Sequence, residues 1–208
     1  MNETLKRAIS GTAYVVIMWL GASQSQYTYS LLFIILGIFS IYEMWKLRKG
    51  RKKILAFTYI LTPFILVQFI STNQGYWNPN LIQFIFLLTW TFDTFAYLMG
   101  IKFGKHKIRP SISPKKSWEG FLGGFIFTII TTYIFHTHFK FASIEMPIII
   151  CAILPFTATL GDFIASHYKR EAGVKDSGNI IPGHGGILDR MDAFMITIPI
   201  IYILVKIL

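Results

Sequence analysis

Long apolar runs alternate with short polar segments along the whole chain, and this alternation predicts membrane-spanning helices. A span needs roughly 20 mostly apolar residues to cross about 30 Å of hydrocarbon. Seven apolar segments approach that length, at residues 8–22, 29–47, 54–71, 81–100, 119–138, 146–166 and 191–208. The pattern therefore predicts an all-α fold, a polytopic transmembrane helix bundle with about seven spans.

The basic residues predict how this bundle is oriented. Clusters of Lys and Arg precede the first segment and follow the second, fourth and sixth, so they fall on one side of the membrane. Of 20 Lys and Arg, only Lys140 and Lys206 fall on the other side. Cytoplasmic loops of membrane proteins collect such residues. We therefore expect a multi-pass cell-membrane protein with its N-terminus in the cytoplasm and its C-terminus outside.

The composition agrees with a membrane protein and argues against a nucleic-acid partner. Hydrophobic residues make up 53% of the chain and charged residues 14%, whereas soluble domains carry about 25% charged residues. The net charge of +10 follows from the basic loops, and the sequence contains no recognisable nucleic-acid-binding module. With no repeat and no linker, residues 1–208 are predicted to form one integral membrane domain.

Two polar loops on the predicted cytoplasmic side carry most of the functional groups. They read KFGKHKIRPSISPKKSWE, residues 102–119, and KREAGVKDSGNIIPGHGGILDRMD, residues 169–192. Arg and Lys bind phosphate, glycine lets backbone N–H groups approach an anion, and Asp suits Mg²⁺. We expect the two loops to meet over one pocket that holds a polyphosphate. A solvated loop with surface ion pairs is the alternative, and the five glycines of the second loop weigh against it.

Several acidic residues lie in or near the apolar segments, where an ionised carboxylate is costly unless it is paired or bound to metal. Glu43 lies near the inner end of the second segment, from which its side chain can reach the membrane interface. Asp162 lies near the end of the sixth segment, and Asp189 comes just before the seventh. They either share a divalent cation or pair separately with a neighbouring Lys or Arg. Asp93 lies well inside the fourth segment, and both a functional role and a helix-packing role are open for it.

The second loop and its lead-in resemble a known family. SHYKREAGVKDSGNIIPGHGGILDRMD, residues 166–192, is similar to the signature of phosphatidate cytidylyltransferases, also called CDP-diglyceride synthases. The segments DTFAYLMG and FGKHKIRPSISPKKSWEG also resemble this family, and IYEMW is a weaker match. The chain is shorter than bacterial members, mainly before residue 80. We therefore expect a shortened helical part over residues 1–80 and a catalytic part over residues 81–208.

The resemblance implies a reaction in phospholipid biosynthesis. A cytidylyl group passes from CTP to phosphatidic acid, giving CDP-diacylglycerol and pyrophosphate. It also implies Mg²⁺ as a cofactor, with K⁺ as a candidate second cation, and an active site on the cytoplasmic face. CTP, phosphatidic acid and membrane lipids are then the expected partners, and a homodimer is left open.

The resemblance also assigns roles to individual residues. The implied catalytic residues are Asp162, Lys175, Asp176, Asp189 and Arg190, and the implied metal ligands are Asp162 and Asp189. The implied substrate-binding residues are Ser113, Lys115, Lys116, Ser166, Lys169, Arg170, His184, Gly185 and Gly186. Three other functions are weighed against this one: a CTP-using polyprenol kinase, a transporter with a basic gate, and a truncated, inactive scaffold.

Overall fold

The protein is described here from a computed structural model, which covers residues 3–51, 53–73, 76–141 and 144–207. Lys52 in the second basic cluster and Leu208 at the end of the last predicted segment lie outside the described residues. Within them, seven helices follow one another: α1 Glu3–Ser23, α2 Gln26–Leu47, α3 Ile54–Ile70, α4 Asn80–Phe103, α5 Trp118–Phe135, α6 Glu145–Glu171 and α7 Leu188–Ile207. Each predicted apolar segment corresponds to one of these helices, with ends that differ by up to five residues.

The lengths and apolar character of these helices support a membrane protein. Within the described residues, α2, α4, α5 and α6 are long and apolar enough to cross a membrane, and α3 is a shorter apolar helix of 17 residues. Their outward-facing side chains are apolar and exposed, as at Ile38 and Ile129, which suits contact with lipid. The count of seven spans and the outside location of the C-terminus stay predictions.

Two short hairpins connect helices where the sequence analysis expected only loops. Strand β1 Thr72–Asn73 pairs with β2 Tyr76–Trp77, and β3 Lys107–Arg109 pairs with β4 Ser113–Ser117, both antiparallel. Pro110 and Pro114 lie in or beside the second hairpin and disfavour a helix there, because proline lacks the N–H that a helix needs. The all-α prediction thus holds for the apolar segments and misses these connections.

Glycines set the distance between neighbouring helices. A Cβ atom at Gly120 of α5 would lie 2.6 Å from the carbonyl oxygen of Ala96 in α4. At Gly161 of α6, the same atom would lie 2.2 Å from the carbonyl oxygen of Asp192 in α7. Small residues let membrane helices approach this closely. Helix α4 therefore packs backbone to backbone against α5, and α6 packs in the same way against α7.

Aromatic side chains fill the centre of the bundle. Phe33 of α2, Phe86 of α4 and Phe194 of α7 are almost completely buried. The ring of Phe86 stacks on Trp90 at 5.5 Å between centroids and lies 5.3 Å from the ring of Phe194. The first and last parts of the chain therefore share one core with α4.

The polar connections gather at one end of the bundle. Glu43, near the end of α2, accepts a hydrogen bond from the N–H of Ile187, just before α7. Ser10, near the start of α1, donates to the carbonyl of Pro182. Lys116 of β4 forms an ion pair with α6. The start of α1, the end of α2, the hairpin β3–β4 and the segment between α6 and α7 therefore lie together, which leaves the functional groups on one face.

Candidate active site

A cavity of about 620 Å³ lies between α4, α5, α6 and the hairpin β3–β4. One part of its wall is apolar, with Phe92, Ile101 and Phe121, and another part carries charged side chains. The charged residues that line it are Asp93, Lys107, Lys115, Lys116 and Asp162. A space that combines lysines, carboxylates and an apolar wall suits a ligand with both a phosphate and a hydrocarbon part.

The hairpin β3–β4 is held at the mouth of this cavity by the first turn of α5. The Glu119 carboxylate accepts hydrogen bonds from the backbone N–H groups of Lys105 and His106, and it lies 2.5 Å from Nδ1 of His106. Ser117 ends β4 and caps α5, since its Oγ accepts the N–H of Gly120 at 3.2 Å. These contacts fix the base of the hairpin, so its lysines are presented to the cavity from a defined position.

Lys116 and Asp162 connect the hairpin with α6. Nζ of Lys116 lies 2.6 Å from Oδ2 of Asp162, and both side chains are partly accessible. The Asp162 carboxyl also interacts at short range with the carboxyl of Asp192, in the second turn of α7. Two neighbouring carboxylates repel each other unless a cation or a proton lies between them. Asp162 and Asp192 therefore form a place where positive charge is favoured, and Lys116 supplies part of it.

Asp93 projects into the same cavity from α4. Its side chain is exposed to this space. It is near enough to Lys116, Asp162 and Arg190 to feel their charges. Of the two roles left open by the sequence, this position favours a functional one over helix packing.

The segment between α6 and α7, residues 172–187, is named the signature loop here, and Asp189 organises one side of it. Oδ1 of Asp189 accepts from Nζ of Lys169 at 2.7 Å, with both side chains buried. Its Oδ2 accepts from the backbone N–H groups of Ser177 at 2.8 Å and Gly186 at 2.9 Å. Gly185 adopts a φ of +82°, and a Cβ there would lie 2.6 Å from Oδ2 of Asp189. Glycine is required at 185 for both reasons.

A second carboxylate, that of Glu43, organises the other side of the signature loop. It accepts from Oγ of Ser177 at 2.6 Å and from the N–H groups of Ile187 at 3.0 Å and Leu188 at 2.9 Å. The side chain is almost completely buried. A buried carboxylate needs such partners, because leaving it unpaired is costly. The loop is thus held between two acids, one from α2 and one from α7.

Helix α1 covers the tip of the signature loop. Oγ of Ser10 lies 2.9 Å from Nδ1 of His184 and donates to the carbonyl of Pro182 at 2.8 Å. A Cβ at Gly183, which has a φ of +77°, would lie 2.7 Å from Cγ of Arg7. From the other side, the guanidinium of Arg190 donates twice to the carbonyl of His184. His184 therefore sits in a packed environment and not in open solvent.

The predicted site residues separate into three groups. Ser113, Lys115, Lys116 and Asp162 line the cavity. Lys169, Asp189, His184, Gly185 and Gly186 build the signature loop and its support, while Ser166 is buried in α6. Arg170, Lys175, Asp176 and Arg190 are exposed at the same end of the bundle. Among the described residues, none of 169–192 lines the cavity, so the two polar loops approach α6 without sharing the walls of one pocket.

The sequence profile of the cytidylyltransferase family matches residues 9–208, nearly the whole chain. The chain belongs to the cytidylyltransferase family. The phosphatidate cytidylyltransferase of Thermotoga maritima is 36% identical over 203 residues, which cover 94% of this chain and 75% of that protein. The match therefore includes the first helices as well as the signature loop.

Other cytidylyltransferases match more closely over a shorter segment. The phosphatidate cytidylyltransferase of Staphylococcus saprophyticus is 48% identical over 124 residues, 59% of this chain and 48% of that protein. That of Haemophilus influenzae is 41% identical over 134 residues, 62% of this chain and 46% of that protein. The chain thus spans about half the length of these two relatives.

Mg²⁺ is the expected cofactor, and the carboxyls of Asp162 and Asp192 are ligands of the type that suits it. Within the described residues, no group of three or more His, Cys, Asp or Glu side chains is arranged as a metal cluster. Mg²⁺ does not need one, since it is usually bound by one or two carboxylates together with waters and substrate phosphates. The carboxyl of Asp162 interacts electrostatically with that of Asp192, whereas the contacts of Asp189 are Lys169, Ser177 and Gly186. Asp162 and Asp192 are therefore neighbouring carboxyls next to the cavity, and the assignment of Asp162 and Asp189 as metal ligands stays a prediction.

Two residues of the first two helices that contact the signature loop were not predicted to do so. Glu43 was expected only to reach the membrane interface and Ser10 had no expected role, although both contact the loop. One signal was available for Glu43: it is the only acidic residue in α2, and an acid in an apolar helix needs a partner. Ser10 carried no such signal, because a serine is common at helix surfaces.

Proposed function

We propose that the protein transfers the cytidylyl group of CTP to phosphatidic acid. A phosphate oxygen of the lipid forms a bond to the α-phosphorus of CTP, and the bond from that phosphorus to the β-phosphate oxygen breaks. CDP-diacylglycerol forms and pyrophosphate leaves. The observation that carries this proposal is the cavity with its lysines, carboxylates and apolar wall in a chain whose relatives are phosphatidate cytidylyltransferases.

The lysines of the hairpin suit the phosphates of both substrates. Lys107, Lys115 and Lys116 line the cavity. Lys107 and Lys115 are exposed, and Lys116 also forms an ion pair with Asp162. Phosphates of two substrates repel each other, and fixed cations lower that repulsion without having to reorganise during the reaction. Such phosphoryl-type transfers are catalysed mostly by positioning and charge neutralisation. The hairpin supplies both, because Glu119 and Ser117 hold it in place.

In this proposal, Asp162 together with Asp192 or, as the family resemblance implies, with Asp189 would hold Mg²⁺, which would supply further charge neutralisation at the phosphates. Lys169 and Asp189 keep the start of α7 in position beside it. No general base is required, because a phosphate monoester is already mostly ionised near pH 7. The participation of K⁺ and the formation of a homodimer stay predictions.

The location of the site follows from the same proposal. CTP is a cytoplasmic substrate, and the lipid stays in the bilayer, so the cavity must open toward both. The basic connections lie at the end of the bundle that carries the cavity, and the positive-inside rule assigns that end to the cytoplasm. We therefore propose a multi-pass protein of the cell membrane with its active site at the cytoplasmic face.

The position of a radioactive label in the lipid product tests this function. The purified protein is incubated with Mg²⁺, phosphatidic acid and CTP labelled either at the α- or at the γ-phosphate. Cytidylyl transfer places the α-label in the lipid and releases the γ-label as pyrophosphate. In a parallel incubation with dolichol in place of phosphatidic acid, a lipid product that carries the γ-label would identify a lipid kinase instead. Failure of both labels to enter a lipid would overturn the proposal.

A further inference from the structure

We infer that Glu43 of α2 is a positioning residue for the active site, a role that rests on the proposed function. It acts through the signature loop and the start of α7, and it does not line the cavity. Its carboxylate is the only acidic group in a helix of 22 residues and is 1% exposed. Burial of this kind is rare for Glu unless specific donors surround it, so its contacts show what it does.

The contacts of Glu43 are the groups that an unsupported helix start leaves unsatisfied. The first N–H groups of a helix have no partner within it, and a negative charge at that end is favourable. Glu43 accepts the N–H groups of Ile187 and Leu188, at the start of α7. The cap of α7 is therefore supplied by α2, from a residue 144 positions earlier in the chain.

Two carboxylates divide the donors of this segment between them without overlap. Asp189 accepts the N–H groups of Ser177 and Gly186. Glu43 accepts the next two N–H groups along the chain, at 187 and 188, and the hydroxyl of Ser177. Ser177 is thus bound by both acids, through its backbone and its side chain. The path of the loop is fixed only when both acids are in place.

Two glycines of the signature loop leave room for the carboxylate of Glu43 because they have no side chain. A Cβ at Gly178 would lie 2.6 Å from its Oε1, and a Cβ at Gly186 would lie 2.3 Å from its Oε2. Any side chain at these positions would displace the carboxylate or the loop. Neither glycine has a positive φ, so close approach and not backbone conformation explains both. Glu43 lies against Gly178, and Glu43 and the hydroxyl of Ser177 both lie against Gly186.

The start of α7 connects Glu43 with the carboxyl groups next to the cavity. Asp192 lies one turn after Leu188 and interacts with Asp162, whose side chain lines the cavity. A shift of this turn by even 1 Å would change how the two carboxyls face each other, and misplacements of that size can cost about 100-fold in rate. Glu43 therefore sets the geometry of a carboxyl pair that it does not touch.

Glu43→Gln tests the role with little change in shape. An amide has one acceptor oxygen and a donor NH₂ group, so one of the two backbone N–H groups or the serine hydroxyl would face a donor. Tyr29→Phe is the matched control, because it removes a buried hydrogen bond from the same helix, that from Oη of Tyr29 to the carbonyl of Val67 at 2.7 Å. It leaves the signature loop untouched.

Two measurements are made on both variants in detergent: amide hydrogen exchange in peptides covering 177–190, and kcat and KM for CTP in the α-label assay. We expect Glu43→Gln to raise exchange at Ile187 and Leu188 at least tenfold, to lower kcat about 10- to 100-fold, and to raise KM. Partial unfolding would lower the active fraction and leave KM unchanged. Tyr29→Phe should change neither the exchange of this segment nor KM.

Unchanged exchange in Glu43→Gln would overturn the inference, and so would faster exchange with wild-type kcat and KM. If Glu43→Gln is not recovered as a folded protein, Glu43→Asp replaces it, since it keeps the charge and shortens the reach by one CH₂ group. If the wild-type protein forms no labelled lipid, the proposed function has failed. The exchange comparison then still decides whether Glu43 holds the loop.

Discussion

The hairpin β3–β4 and the signature loop lie at the same end of the bundle but differ in whether the charged side chains in and beside them are exposed or buried. The hairpin presents Lys107 and Lys115 to a cavity as exposed side chains. On either side of the signature loop, Lys169 of α6 and Asp189 of α7 are buried and neutralise each other. The contacts of Asp189 thus hold the signature loop in place, and the hairpin exposes its charges to the cavity. Arg170, Lys175, Asp176 and Arg190 are also exposed at this end of the bundle.

The difference teaches that a recognisable motif need not consist of residues that touch the substrate. A loop that must follow one path needs glycines at fixed places and acids that satisfy its N–H groups. Gly185 and Asp189 meet that requirement together. Substitutions in the signature loop should therefore lower the stability of the protein. Substitutions in the hairpin should instead lower its affinity for substrate.

The largest effect is expected from Asp162→Asn, because Asp162 contacts the hairpin through Lys116 and α7 through Asp192. Loss of one preorganised charge at a reacting phosphate commonly costs about 100- to 1000-fold in rate. CDP-lipid formation by the variant, measured with α-labelled CTP, should fall by that factor. Thr157→Val, which removes the hydrogen bond to Thr197 in the same pair of helices, is the control. More than a tenth of wild-type activity in Asp162→Asn would remove it from the site.

Asp189→Asn should act first on stability. It leaves the ammonium of Lys169 buried without its partner, and breaking a buried ion pair in this way costs about 3–5 kcal/mol. The midpoint of thermal unfolding in detergent should drop clearly, and activity should be lost with the folded protein. The double variant Lys169→Met with Asp189→Asn should recover part of the midpoint. A wild-type midpoint in Asp189→Asn would contradict the scaffold role.

Lys115→Ala should affect binding and not folding. The side chain lines the cavity and is exposed, so its loss removes a charged contact to a phosphate. We expect KM for CTP or phosphatidic acid to rise about tenfold, equivalent to about 1.4 kcal/mol, with an unchanged unfolding midpoint. Lys175→Ala in the signature loop should raise KM less, about threefold. Equal effects of the two substitutions would show that the loop binds substrate as strongly as the hairpin.

The smallest effect is expected from Gly173→Ala. Gly173 has a φ of +72°, but nothing lies within 4 Å of the Cβ that an alanine would add. The cost is then backbone strain alone, about 1 kcal/mol. Activity should stay within twofold of wild type while the unfolding midpoint falls slightly. Gly185→Ala, with the same sign of φ and Asp189 at 2.6 Å, should be far more damaging; equal behaviour would mean that packing around 185 is unimportant.

The helices were predictable because each of them is an apolar run, and the alternation of apolar runs with polar segments is visible in the hydropathy of the sequence alone. The family was predictable from the motif between Ser166 and Asp192. The proximity of Asp192 to Asp162 was not, because it depends on how α6 and α7 pack against each other at Gly161. Sequence spacing puts Asp189 and Asp192 on the same face of α7, about one turn apart, and does not show which of them approaches Asp162.

The contacts of the first two helices were hidden for a related reason. Ser10 and Glu43 lie far from the signature loop in sequence, and no local pattern joins positions so distant. The hairpin β3–β4 was not predicted because a segment rich in prolines and lysines is as compatible with an irregular loop as with a hairpin. In both cases the information lies in tertiary contacts, which a single sequence does not display.

The long separation between Glu43 and its partners has a consequence for biosynthesis. At about 5–20 residues per second, translation needs roughly 7 to 30 s to advance from Glu43 to Ile187, 144 residues later. During that interval the nascent protein carries an acidic side chain whose eventual donors have not yet been made. Because Glu43 lies near the end of α2, its carboxylate stays close to water until those donors have been synthesised. The contacts of Glu43 with the signature loop and the start of α7 can therefore form only after α7 has emerged from the ribosome.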